Sequence, residues 1–134
     1  MQDINALADR VRNIAYGVHV YLAQGHLEKV YENALANRLG KAGISCEQQV
    51  PIKVHDEDGT VIGDYFADLL VEGRLIVEIK AASTVLPEHY AQLLGYLRAS
   101  RIEHGLLVNF GSPKFQIRKM VRSNPVPPEA SATS

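Results

Sequence analysis

The chain has 134 residues, a length that suits one domain with its own hydrophobic core. Its 14 basic and 15 acidic side chains give a formal charge of −1, which excludes a strongly basic nucleic-acid coat but not a local basic patch. The lone cysteine, Cys46, excludes an intramolecular disulfide, and no apolar run approaches the ~20 residues of a membrane span, so we expect a cytoplasmic protein outside the membrane.

Apolar residues spaced three and four apart predict two amphipathic helices at the start of the chain, over residues 3–23 and 27–41. Asp3 is a suitable N-cap for the first helix, and Gly43 is a suitable stop for the second. A third helix is predicted from Pro87, a residue favoured in the first turn, to about Arg101.

Strands are predicted on both sides of the third helix. Those before it are residues 45–55, 61–71 and 75–81. Residues 106–110 form a fourth strand, whereas residues 114–121 fit either a short strand or a helix. Because a helix separates the third and fourth strands, these two should be parallel, joined by a right-handed crossover. The sequence therefore predicts an α/β fold, a mixed sheet flanked by helices.

The domain is predicted to cover residues 1–122. The tail over residues 123–134 is rich in proline and nearly free of large apolar residues, so it is predicted to be disordered.

The sharpest chemical feature lies in the second and third strands. Glu78 and Lys80 are two residues apart and therefore point to the same face. A three-residue turn over residues 72–74 would place Asp68 opposite Glu78, whereas a two-residue turn would turn Asp68 to the other face. Gly73 suits the left-handed position of a three-residue turn.

Two carboxylates that lie opposite each other on neighbouring strands repel each other unless a positive charge lies between them. A divalent cation can supply that charge, and Mg²⁺ and Mn²⁺ prefer oxygen ligands. Lys80 beside them could hold a water or stabilise negative charge on a phosphate, so the three residues suit phosphodiester hydrolysis. The alternative is an ordinary salt-bridged strand, in which Lys80 pairs with Glu78 or Asp68.

Two helices carry further polar candidates. Glu28 lies at the edge of the apolar face of the second helix, with Glu32 further out, and the alternative is that Glu28 is a boundary residue that reaches solvent. His89, Gln92 and Tyr96 form a separate face of the third helix, which is either a half-exposed flank or a surface facing a substrate.

Several segments together resemble one family. Residues 25–31 fit the pattern G-x-x-E-x-x-Y, and further matching segments are residues 67–71, 77–81, 89–97 and 106–111. Over about residues 5–121 the chain resembles the GxxExxY family of the PD-(D/E)XK nuclease superfamily. The resemblance implies an α-β-β-β-α-β core, which the predicted order reproduces with an extra N-terminal helix. The residue before Asp68 is Ala67 rather than the superfamily's proline.

The resemblance implies roles for these residues. Asp68 and Glu78 would bind the metal ion, with the carbonyl of Ile79 as a further ligand. Lys80 would position or activate water, and Glu28 would complete the metal site from the helix. Gln92 and Tyr96 resemble a helix motif found beside this site in related nucleases, and His89 and Tyr96 are the candidates on the substrate side.

We therefore expect a Mg²⁺- or Mn²⁺-dependent nuclease that hydrolyses DNA phosphodiester bonds, with Lys80 assisting the attacking water. The alternative is a catalytically silent module with the nuclease fold that binds nucleic acid or a protein partner. A third hypothesis is a homodimer whose two sites face one DNA duplex, because a domain of this size covers little DNA alone.

Overall fold

Three helices form where the apolar spacing predicts them, in a computed structural model that describes residues 2–123. Asp3 caps the first helix by accepting hydrogen bonds from the backbone N–H groups of Asn5 and Ala6. The helices are α1 (Ile4–Leu22), α2 (Glu28–Lys41) and α3 (Pro87–Ser100). None of these helices is long and apolar enough to cross a bilayer. The predicted tail lies outside the described residues from residue 124 onward.

The strands form one five-stranded sheet in the order β1-β2-β3-β4-β5. They are β1 (Cys46–His55), β2 (Val61–Val71), β3 (Leu75–Lys80), β4 (His104–Asn109) and β5 (Gln116–Val121). The β3 and β4 strands are parallel, as predicted, and the other neighbours are antiparallel. The segment that the sequence left undecided is therefore a strand, at the edge beside β4.

Helices cover both faces of the sheet, and a separate core lies under each face. The core beneath α1 and α2 includes Leu7, Val11, Tyr31, Leu35, Leu39, Val77, Ile79 and Val108. The core beneath α3 includes Ile52, Ala67, Ile76, Leu93, Leu97 and Leu107. Alternation along β3 thus places Ile76, Glu78 and Lys80 on the α3 face.

The turn between β2 and β3 has the predicted three residues. Val71 pairs with Leu75 across it, and Glu72 (φ 54°) and Gly73 (φ 65°) are left-handed. The predicted register is therefore confirmed as far as the pair of Leu69 with Val77, where the described ladder between the two strands ends.

The β1–β2 hairpin turns its side chains over between Ala67 and Leu69, so that alternate residues on the two sides of Asp68 face opposite sides of the sheet. Leu69 packs in the core beneath α1 and α2, whereas Ala67, two residues away, packs in the core beneath α3. The β1–β2 register pairs Gln48 with Leu69 but leaves out Gln49 and Asp68, and Gln49 has φ 53°. The sheet thus reverses its faces at the position of Asp68.

A buried asparagine holds the segment that leaves β3. Asn109 accepts hydrogen bonds from the N–H groups of Ala82 (3.0 Å) and Gly111 (3.1 Å) and donates to the carbonyl of Ala82 and the amide oxygen of Gln116 (2.8 Å each). A Cβ atom at Gly111 would lie 2.3 Å from the carbonyl carbon of Ala81, so only glycine fits there.

Candidate active site

Asp68 and Glu78 meet where β2 and β3 separate. The N–H of Asp68 donates to Oε1 of Glu78 (2.9 Å), and the N–H of Ile79 donates to Oδ2 of Asp68 (2.8 Å). Each carboxylate therefore satisfies a backbone donor on the other strand in place of a ladder bond. The structure brings the two predicted acids together, through side chains that bridge a gap between the strands.

Glu78 is only 4% exposed, and its environment opposes ionisation. Burial, followed by the negative charge of Asp68, raises the pKa of Glu78 to about 8, although a hydrogen bond from Asp68 and the charge of Lys80 act in the opposite direction. In the metal-free protein Glu78 is therefore mainly protonated at neutral pH. A cation held by the pair would take the place of that proton.

The donors at this gap suit a hard divalent cation. Within residues 2–123, no group of three or more His, Cys, Asp and Glu side chains could hold a metal ion. Mg²⁺, in contrast, is commonly bound through one or two carboxylates together with waters and substrate phosphates. Because Ile79 directs its N–H to Asp68, strand geometry directs its carbonyl to the same gap.

Lys80 is held by α3 rather than by the acids. Its Nζ donates to Oε1 of Gln92 (3.0 Å). Among the ion pairs of the described residues, Lys80 has none with Asp68 or Glu78. The salt-bridged strand that the sequence left open is therefore not formed.

Tyr96 approaches the carboxylates from the same helix. It is 8% exposed, and burial, then the charges of Glu78 and Asp68, raise the pKa of its hydroxyl. The ring of Tyr65 on β2 lies 5.0 Å from that of Tyr96, centroid to centroid. Aromatic side chains therefore flank the gap on the α3 face.

His89 has a structural contact at the start of α3. Its Nδ1 accepts a hydrogen bond from the backbone N–H of Leu86 (3.0 Å), which caps the helix. Its predicted role towards a substrate remains a prediction.

The helix acid that reaches this network is Glu32. Glu28 is exposed at the first residue of α2, whereas Glu32 is 3% exposed and accepts a hydrogen bond from Nε2 of Gln49 (2.7 Å). The same amide nitrogen donates to Oδ1 of Asp68 (3.2 Å). Glu28 rather than Glu32 was predicted to contribute from this helix, and Gln49 was not predicted at all, because no local sequence pattern indicates either contact.

The tyrosine of the G-x-x-E-x-x-Y segment stabilises the connection between α1 and α2. The hydroxyl of Tyr31 donates to the carbonyl of Ala23 (2.6 Å) and accepts from the N–H of His26 (3.2 Å). Its ring stacks on Phe110 at 4.7 Å between centroids. This residue therefore fixes the start of α2 against the end of β4.

The family profile described as the PD-(D/E)XK nuclease superfamily matches residues 5–120 of the chain. The crystal structure of SSO0001 is similar with a TM-score of 0.60 at 22% identity, covering 77% of this chain and 52% of that one. The alkaline exonuclease LHK-Exo from Laribacter hongkongensis has a TM-score of 0.53 at 12% identity, covering 99% of this chain and 75% of that one. The chain thus spans about half the length of SSO0001, and at these identities both likenesses concern the fold alone. No curated protein matches the sequence.

Proposed function

The chain belongs to the PD-(D/E)XK nuclease superfamily, and from that premise we propose that it is a Mg²⁺- or Mn²⁺-dependent nuclease that hydrolyses DNA phosphodiester bonds. Nucleases of this superfamily generally depend on divalent metal ions. The observation that carries the proposal is the pairing of Asp68 with Glu78 beside Lys80, whose ammonium group is hydrogen-bonded to Gln92. The finer assignment to the GxxExxY family is part of the same proposal.

The proposed roles follow from the contacts. Asp68, Glu78 and the carbonyl of Ile79 would hold the cation, which when bound supplies positive charge at the phosphate and makes water more acidic. Lys80, whose ammonium group is oriented by Gln92, places a donor and a positive charge beside the carboxylates. It can therefore orient water and stabilise negative charge on the phosphate.

Two of the remaining candidates belong to the substrate side, and the third, Glu28, belongs to the metal site. Tyr96 faces the carboxylates from α3, and the helix cap uses Nδ1 of His89, so that within residues 2–123 its Nε2 has no hydrogen-bond partner. Glu28 is exposed near the start of α2, where it remains a proposed contributor to the site.

The test is a cleavage assay on duplex, single-stranded and branched DNA with Mg²⁺ or Mn²⁺. We expect Lys80→Ala to lower the cleavage rate by at least ~100-fold without weakening Mn²⁺ binding, because a protonated lysine is not a metal ligand. Asp68→Asn should lose both metal binding and cleavage. Lys41→Ala is the matched control, since Lys41 is exposed at the far end of α2.

The outcomes separate the alternatives. Cleavage by Lys80→Ala at the wild-type rate would mean either that the activity comes from a contaminant or that Lys80 has only a structural role. If metal-loaded wild type binds DNA but cuts none of the substrates, the catalytically silent module is the better description. Sedimentation with and without duplex DNA tests the proposed homodimer.

A further inference from the structure

The reversal of the sheet centres on one residue of β1. Gln49 has φ 53°, a left-handed conformation that a residue with a side chain adopts only with strain. It lies across from Asp68, and neither residue is paired in the ladder that continues on both sides of them. A strained position inside a strand persists only where its surroundings stabilise it.

The side chain of Gln49 joins two carboxylates. Its Nε2 donates to Oε1 of Glu32 (2.7 Å) and to Oδ1 of Asp68 (3.2 Å). A side-chain amide carries two N–H hydrogens, so one group can serve both acceptors. The neutral amide thus lies between two acids that would otherwise repel each other.

Glu32 is the fixed end of this connection. It is 3% exposed, and its second oxygen accepts hydrogen bonds from Nζ of Lys29 (2.9 Å) and Nε2 of Gln48 (2.8 Å). Three donors from two elements therefore hold one buried carboxylate. Any group bonded to its remaining oxygen is held relative to α2.

Asp68 is fixed from two directions. Its Oδ2 accepts from the N–H of Ile79 on β3, and its Oδ1 accepts from Gln49. We propose that Glu32 and Gln49 are positioning residues, which orient the Asp68 carboxylate for a divalent cation through the hydrogen-bonded path from α2. This inference rests on the proposed function only in taking Asp68 as a metal ligand.

Two adjacent glutamines provide the test. Gln48 and Gln49 are both exposed and both donate to Glu32, but only Gln49 reaches Asp68. Calorimetric titration with Mn²⁺ alone should show roughly 10-fold weaker binding for Gln49→Leu and near wild-type binding for Gln48→Leu. A purely structural role would affect both variants alike, and urea denaturation should show that both lose similar stability. Equal Mn²⁺ affinity in the two variants would overturn the proposal.

A second measurement needs neither metal nor activity. In crystals of the metal-free protein, the Asp68 carboxylate should have one orientation in wild type and Gln48→Leu, and more than one in Gln49→Leu. An unchanged Asp68 in Gln49→Leu, or a wild type that binds no Mn²⁺, would overturn the positioning role. A wild type that binds Mn²⁺ normally but cuts no DNA would instead refute the nuclease proposal and leave the positioning role in place.

Discussion

Glu78 is a buried acid with a second acid beside it, and this sets the pH dependence of the metal-free protein. Below its ordinary pKa of 4.5, Glu78 is protonated in both the folded and the unfolded chain. As pH rises from there to about 8, the unfolded chain releases the proton while the folded protein retains it. The contribution of Glu78 to the free energy of unfolding should therefore fall by up to ~1.4 kcal/mol per pH unit and level off above the folded pKa.

Urea denaturation in the presence of a chelator, at intervals between pH 5 and 9, measures this fall. Glu78→Gln keeps an oxygen that can accept the N–H of Asp68 but cannot ionise, so its stability should be flatter over the same range. If the free energy of unfolding changes with pH in the same way in wild type and Glu78→Gln, the pKa of Glu78 is not raised in the folded protein.

Two glutamates one turn apart on α2, Glu28 and Glu32, should contribute very differently to the stability of the fold. Glu32→Ala removes a buried acceptor and leaves the donors of Lys29, Gln48 and Gln49 without it, so we expect a loss of roughly 2–4 kcal/mol. Glu28→Ala changes an exposed side chain and should leave stability within about 0.5 kcal/mol of wild type. Thermal unfolding of the two variants gives the comparison.

A Glu28 variant also tests whether this residue contributes to activity rather than to stability. If the predicted role of Glu28 in the metal site is correct, Glu28→Gln should slow cleavage at unchanged stability. Wild-type cleavage by that variant would remove Glu28 from the site.

At the scale of elements, the segment after β3 depends on the close approach of Gly111 to Ala81 and Ala82. Gly111→Ala would force a Cβ to within 2.3 Å of backbone atoms, so we expect a loss of about 3 kcal/mol or more. Gly95→Ala in α3 is the matched control, because its Cβ would meet nothing within 4 Å. That control should be neutral or stabilising by up to ~1 kcal/mol in urea denaturation. Similar losses in both variants would contradict the packing described.

Elements with strong local signals were predictable from the sequence. Pro87 marks the start of α3, and the turn residues Glu72 and Gly73 fix the register that brings Asp68 towards Glu78. The β5 strand was undecided because its six residues lack a clear period, and pairing with β4 determines its conformation.

The part of the site that the sequence did not reveal depends on tertiary contacts. The left-handed Gln49 has no local signal, since glycine or asparagine would be expected at such a position. The helical angle placed Glu28 nearer the apolar face than Glu32, but angle alone ignores position along the axis. Glu28 lies at the exposed end of α2, beside the 79% exposed Leu27, whereas Glu32 lies one turn further in and is covered.

On the scale of the whole molecule, Asp68 and Glu78 lie between the side of the sheet covered by α1 and α2 and the side covered by α3. The path from Glu32 to Asp68 starts on the side of α1 and α2, and Lys80 and Gln92 lie on the side of α3. A cation that binds only the folded form at this place stabilises the fold by mass action, since its ligands come from two strands that are separate in the unfolded chain.

Mn²⁺ at 100 times its dissociation constant should therefore raise the free energy of unfolding by about 2.7 kcal/mol, roughly 10 °C in melting temperature for a chain of this size. The measurement belongs near pH 8, where less free energy is needed to remove the proton from Glu78. Scanning calorimetry with and without a chelator gives the shift, and Asp68→Asn should abolish it while Lys80→Ala retains it. Lys80→Ala could even bind Mn²⁺ slightly more tightly and show a slightly larger shift, because it removes a nearby positive charge. An equal shift in Asp68→Asn would place the cation elsewhere, and no shift in wild type at millimolar Mn²⁺ would contradict a metal site at this gap.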